Sequence, residues 1–197
     1  MAASVGEMVA QSRDILTNRS VATIEKYEKA GGLQEALIYV GIAAAITGIF
    51  GLFGGIGAFI GGILSTLIGF FVFTYLVYWI GNQQGGSGTY DEVAYSFALF
   101  YAPISVLGAV VALLLTITII GIFLLPLVGL LVIVANVYFA YVAAQSSLNL
   151  APGGKIWLVL ILAGLGSLVA SIVISSLFGP SLGNADTFVP LIEAVLI

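Results

Sequence analysis

Between Ala36 and Gly81 the chain runs through about 45 residues without one charged side chain, and between Val93 and Ala144 through about 50 more. A helix rises ~1.5 Å per residue, so the first run would be about 68 Å long. The hydrocarbon core of a bilayer is about 30 Å thick, so each run makes two crossings rather than one. The predicted turn in the first run is Gly54-Gly55-Ile56-Gly57. In the second it is Thr116 to Gly121, with Pro126 just inside the next helix. A fifth apolar run, Ile156 to Phe178, stops at Gly179-Pro180. The stretch Phe188 to Ile197 has about ten residues, too few to span. The reading is an all-α integral membrane protein with five transmembrane helices.

Composition supports that solvent. Hydrophobic residues make up 61% of the chain and charged ones 7%, whereas a soluble domain carries about 25% charged residues. Such a chain cannot clothe itself in polar surface, so the lipid bilayer is its first partner. Cysteine and histidine are absent. That excludes disulfides, thiol catalysis, Cys/His zinc sites and a histidine general base. Five basic against nine acidic residues leave no footprint for nucleic acid.

Sidedness follows from where the charges lie. With five crossings, the N-terminal segment and the loops Asn82 to Glu92 and Ser146 to Lys155 share one side. Arg13, Arg19, Lys26, Lys29 and Lys155 all fall there, so that side is read as cytoplasmic. Tyr27, Tyr39, Tyr75, Tyr78, Trp79, Tyr90, Tyr95, Tyr101, Tyr138, Tyr141 and Trp157 cluster in the same half, as an interfacial belt would. The C-terminus, with Asp186 and Glu193, is then outside. Residues 1–35 form a cytoplasmic amphipathic segment, 36–178 the membrane domain and 179–197 a short extracytoplasmic tail.

The N-terminal segment lacks the apolar stretch of a signal peptide. Val5, Met8, Val9, Ser12, Ile15 and Leu16 make one weakly apolar helical face. Two readings stand: a helix lying on the membrane interface, or a helix packed on the rest of the protein. Further along, Gly57, Gly61, Ser65 and Gly69 form a four-residue ladder on the second span, and Ala163, Ser167, Ser171 and Ser175 another on the fifth. Small-residue rows let helix backbones approach, within one chain or at a homo-oligomer seam.

Candidate sites are few. Gly85-Gly86-Ser87-Gly88 matches the G-x-S-G pattern of intramembrane serine proteases, but the base that would take the serine proton is missing. Nor does a G-K-[ST] follow to make a phosphate loop. Thr89-Tyr90-Asp91-Glu92 reads as a capping box, with two acids at the positive end of the third span. The same residues, with Gly86 and Gly88, are candidates for a partner contact. No Asp, Glu, Lys or Arg falls inside a span, which argues against a proton-coupled pump or voltage sensor. Asn136 is the strongly polar residue deep in a span, and with Pro126 it marks a candidate solute pathway. Lys155 reads as an interfacial anchor.

Four features resemble the Yip1 family over roughly residues 37–178. A glycine-rich loop follows the second span (Gly85, Gly86, Gly88, Thr89). Tyr95, Tyr101 and Pro103 enter the third. A tyrosine-rich fourth span ends near Ala143-Ala144, and Pro152, Lys155 and Trp157 open the fifth. The resemblance implies five spans, a cytoplasmic N-terminus and a role in membrane organisation. Eukaryotic members are associated with Rab GTPases and vesicle formation. This chain lacks their D-L-Y-G-P stretch and has a short N-terminal segment, which points to a prokaryotic member in a plasma membrane. The functional expectation is a non-enzymatic protein without cofactor or metal, organising membrane or recruiting a cytosolic protein through the N-terminal segment and residues 82–92. The alternative is a channel or transporter for a small solute, ion or lipid.

Overall fold

The computed structural model describes residues 3–49 and 56–178, without the side chains of 58, 119 and 174–178. The turn expected at Gly54-Gly55, the 179–197 tail and the side chain of Ser175 lie outside the described residues. Seven helices follow one another: α1 (Val5–Thr17), α2 (Val21–Glu25), α3 (Leu33–Gly48), α4 (Ile56–Gln83), α5 (Tyr90–Thr116), α6 (Ile119–Ser147) and α7 (Gly154–Phe178). No strand occurs among the described residues, so the all-α expectation holds.

Four segments are long and apolar enough to cross a membrane: Phe59–Gln83, Tyr90–Thr116, Ile120–Ser147 and Gly154–Val173. The expectation was five. The first expected crossing corresponds to α3, whose 16 residues would rise about 24 Å, short of a hydrocarbon core. Residues 50–55 lie outside the described ones. α3 also begins at Leu33 rather than Ala36, so the 35/36 boundary falls within its first turn.

Successive long helices run in opposite directions. Phe70 and Phe73 of α4 meet Tyr101 and Phe97 of α5, each at 5.8 Å between ring centroids. Phe100 stacks on Phe139 of α6, again at 5.8 Å, while Gly108 faces Val132 farther along the pair. Gly48 lies against Phe59 and Gly41 against Leu67, so α3 and α4 are antiparallel as well. α7 packs on α4, where Gly166 meets Leu76. The turn between α5 and α6 is tight, with Thr118 accepting from the Gly121 amide at 3.0 Å.

α5 is the central helix. From Val93 to Phe100 every residue is buried, because α1, α3, α4 and α6 surround that half. Burial then fades toward the other end. Ile117 is 74% exposed, Ile120 77% and Phe123 80%. Apolar surface on that scale needs an apolar solvent. Among the described residues, the bundle thus has one tightly packed, polar-capped end and one end whose exposed surface is mostly apolar.

Candidate partner surface at the polar end

The N-termini of α3, α5 and α7 and the C-termini of α4 and α6 meet at the packed end. Unsatisfied amides and carbonyls gather there, and side chains answer them. Thr89 accepts from the Glu92 amide at 3.3 Å, and Glu92 accepts from the Thr89 amide at 2.8 Å, a complete capping box. Asp91 does something that its position in sequence does not announce. It accepts from the Leu33 amide at 3.0 Å and so caps α3 as well as lying in the first turn of α5. Glu35 accepts from the Gly32 amide at 2.8 Å, so two carboxylates serve the start of α3. Lys29 lies 3.9 Å from Glu92.

The glycine loop is seated on the end of α6. The Gly86 amide donates to Gly81 O and the Ser87 amide to Leu148 O, both at 3.0 Å. A Cβ on Gly88 would overlap the carbonyl oxygen of Ser147, and one on Gly86 would come within 2.9 Å of Gly81 O. Gly85 turns the chain with φ +96°. Lys155 donates to Gln84 O at 3.1 Å, fastening the start of α7 to the same loop. The loop is thus a structural closure, and Gly86, Gly88, Thr89, Asp91 and Glu92 are already engaged within the chain.

α1 and α2 form a cap over this end. Met8, Ser12 and Ile15 of α1 and Ile24 of α2 are buried, whereas Val5 and Val9 are exposed. Of the two readings of the N-terminal segment, the structure gives the packed helix. Three polar bonds join cap to bundle: Ser12 with Tyr39 at 3.0 Å, Tyr95 to Gln11 at 2.7 Å and Tyr138 to Arg19 O at 3.2 Å. A fourth, Ser146 to Glu28 at 2.7 Å, is buried. Sequence reasoning passed over Glu28. Its spacing of four from Ile24 was the available signal, since it puts the carboxylate on the packed side.

The outer side of α1 is free of these contacts. Val9, Ala10, Arg13, Asp14, Thr17 and Asn18 line a shallow cleft of about 580 Å³. The Tyr27 hydroxyl and the Asn18 amide donate to Asp14 and hold its carboxyl below the usual range. A second groove, about 340 Å³ and apolar, runs along α6 beside Trp157.

The tyrosine belt divides in two. Tyr75, Trp79, Tyr138 and Trp157 are about half exposed, as interfacial residues are. Tyr39 and Tyr95 are buried, because α1 covers them. Phe71, Tyr75, Tyr78 and Tyr90 pack ring to ring at 5.7–6.4 Å beside the α4–α5 corner.

The small-residue ladders are placed as follows. A Cβ on Gly57 or Gly69 would meet nothing within 4 Å, Ser65 is exposed and Gly61 is buried. Ala163 is buried, while Ser167 and Ser171 donate to the carbonyls of Ala163 and Ser167, each at 2.8 Å. The close approaches occur at other glycines: Gly81 against Leu148 and Gly166 against Leu76.

Asn136 donates along its own helix to Val132 O at 2.9 Å, and its Oδ1 is buried without a hydrogen bond. Pro126 is exposed and ten residues away, about 15 Å along α6, so the two do not share one locus. No group of three acidic side chains gathers in metal-binding geometry among the described residues. No family model, no curated protein and no solved structure matches this chain.

Proposed function

We propose that this chain is a five-crossing, non-enzymatic membrane protein that recruits a cytosolic partner through its N-terminal cap. In this reading α3 is the first crossing, and the cap faces the cytoplasm of a prokaryotic plasma membrane. The alternating directions of α3 to α7 support an odd number of crossings. The basic residues at the capped end support its cytoplasmic placement. Kinship with the Yip1 family stays within this proposal, resting on the glycine loop and the Tyr95–Pro103 and Pro152–Trp157 segments.

The observation that carries the recruiting role is the division of α1 into two faces. One buries Met8, Ser12 and Ile15 against the bundle. The other presents exposed Val9 beside Arg13 and Asp14 in an open cleft. An apolar side chain rimmed by charges of both signs is the composition of a contact site. The glycine loop and the Asp91–Glu92 pair act in this reading as its foundation. They hold α3, α5 and the end of α6 in register beneath the cap.

A photo-crosslinking residue placed at Val9 in the native membrane should give a discrete protein adduct, and one at Leu107 only lipid. Identical products from both positions, or none from Val9, would end the recruiting role. The transport alternative rests on the unpaired Oδ1 of Asn136. Solute flux in proteoliposomes that Asn136→Leu abolishes would establish it instead. Exposed Gly57 and Ser65 leave a ladder open for a second copy of the chain, which mass photometry in nanodiscs would count.

A further inference from the structure

Glu28 is the one charged side chain fully buried among the described residues, 3% exposed. Its amide donates to Ile24 O at 2.9 Å, so it continues the packed side of α2. Its Oε2 receives the Ser146 hydroxyl at 2.7 Å, from the last turn of α6. Ser146 and Ser147 are buried too. This contact ties the cap directly to the bundle.

The charges around it are unbalanced. α6 carries no Asp, Glu, Lys, Arg or His; its titratable groups are Tyr138 and Tyr141. From α5 the facing charge is Glu92, a like charge. From the cap's own segment come Lys29 and Glu25. Lys29 is 75% exposed and lies beside Glu92, so it compensates the other carboxylate first. The charged groups of α1 are occupied elsewhere: Glu7 with Ser4, and Arg13 and Asp14 on the outer cleft. One turn beyond Glu92, on the same side of α5, the Ser96 hydroxyl is buried without a hydrogen bond. An ionised Glu28 here is a buried, incompletely paired charge, which folded proteins avoid by keeping the proton.

We propose that the α1–α2 cap is a proton-operated latch in which Glu28 holds α2 on α6 as a neutral carboxyl and weakens that hold on ionising. The hydroxyl of Ser146 can donate or accept, so the hydrogen bond survives in either state and only the charge changes. Burial pushes the Glu28 carboxyl above its ordinary 4.5; the Ser146 bond opposes this and Glu92 adds to it. The sign follows. A group whose closed-state pKa is raised favours the closed state at low pH, and that preference is lost as pH rises from 4.5 through the raised value. Opening should increase by up to about tenfold per pH unit inside that window. The latch is independent of what the cap binds.

Hydrogen exchange of the 21–30 amides tests it, on the full chain in nanodiscs from about pH 5 to about pH 8, corrected for intrinsic rates. Wild type should lose protection as pH rises. Glu28→Gln should keep the low-pH protection throughout. Glu92→Gln, which retains the capping box, should keep the pH dependence but move it to lower pH. A wild-type cap whose protection ignores pH would overturn the latch. So would a Glu28→Gln protein that opens like wild type, or loss of the dependence in Glu92→Gln alone.

Discussion

A methyl group on Gly88 would land on the Ser147 carbonyl oxygen, a backbone atom, and would be fixed to backbone itself. Neither side can swing away, so the loop must lift off the end of α6. The Ser87 to Leu148 hydrogen bond would go with it. Gly88→Ala should therefore cost about 1–3 kcal/mol, the usual penalty for overpacking. Gly57→Ala is the natural control, because a Cβ there meets nothing. Removing a flexible residue from a helix should leave that variant unchanged or about 0.5–1 kcal/mol more stable. Thermal unfolding in detergent reads both, and equal midpoints for the two would refute the close seat. Asp91 carries a related lesson. It caps α3 while lying in the first turn of α5, so Asp91→Ala loosens two helix starts at once. Its neutralisation cannot serve as a clean test of partner binding.

The cap is the element on which sequence and structure differ most instructively. Spacing placed Val5, Met8, Val9, Ser12, Ile15 and Leu16 on one weak face. The structure buries Met8, Ser12 and Ile15 and leaves Val5 and Val9 outside. Periodicity of three and four defines a stripe to within about one residue's rotation, and only the docking partner chooses its edge. The helix partner for Asp91 was hidden for a related reason, since Leu33 is 58 positions away. The long spans were legible because length and hydropathy alone fix them. The capping box was legible because its bonds are local. Tyr39 and Tyr95 read as belt residues because nothing in their own segments announces that α1 covers them. If the cap is held mainly by its apolar side, Ile15→Ala should cost about 2–5 kcal/mol of cap stability. Limited proteolysis should then cut within residues 3–30 much faster, while the fragment from α3 onward stays intact. Cutting at the wild-type rate would show that α1 is not held by Ile15.

Across the whole molecule, polarity and packing change together along one axis. Among the described residues, the hydrogen bonds between distant segments, the ion pairs and the fully buried aromatics named above lie at the capped end. At the other end α5, α6 and α7 expose isoleucine, leucine and phenylalanine. In a bilayer this gradient divides the labour: the capped end supplies specific contacts, and lipid supports the open end. Among the described helices of the bundle, α3 alone is shorter than the hydrocarbon core. The absence of cysteine makes a direct measurement possible. Single cysteines at Ser20, Ser87, Ile49 and Ile117 can be probed in sealed vesicles with an impermeant maleimide. Ser20→Cys and Ser87→Cys should label from one face. Ile117→Cys should label from the opposite face only, since α5 carries the chain across between Ser87 and Ile117. Ile49→Cys is decisive for α3. If α3 completes a crossing, it labels with Ile117→Cys; if it enters and stays on the capped side, it labels with Ser20→Cys. The second outcome would overturn α3 as the first crossing. The antiparallel contact of Gly48 with Phe59 and of Gly41 with Leu67 argues for the first, because it sets the end of α3 level with the start of a helix long and apolar enough to span.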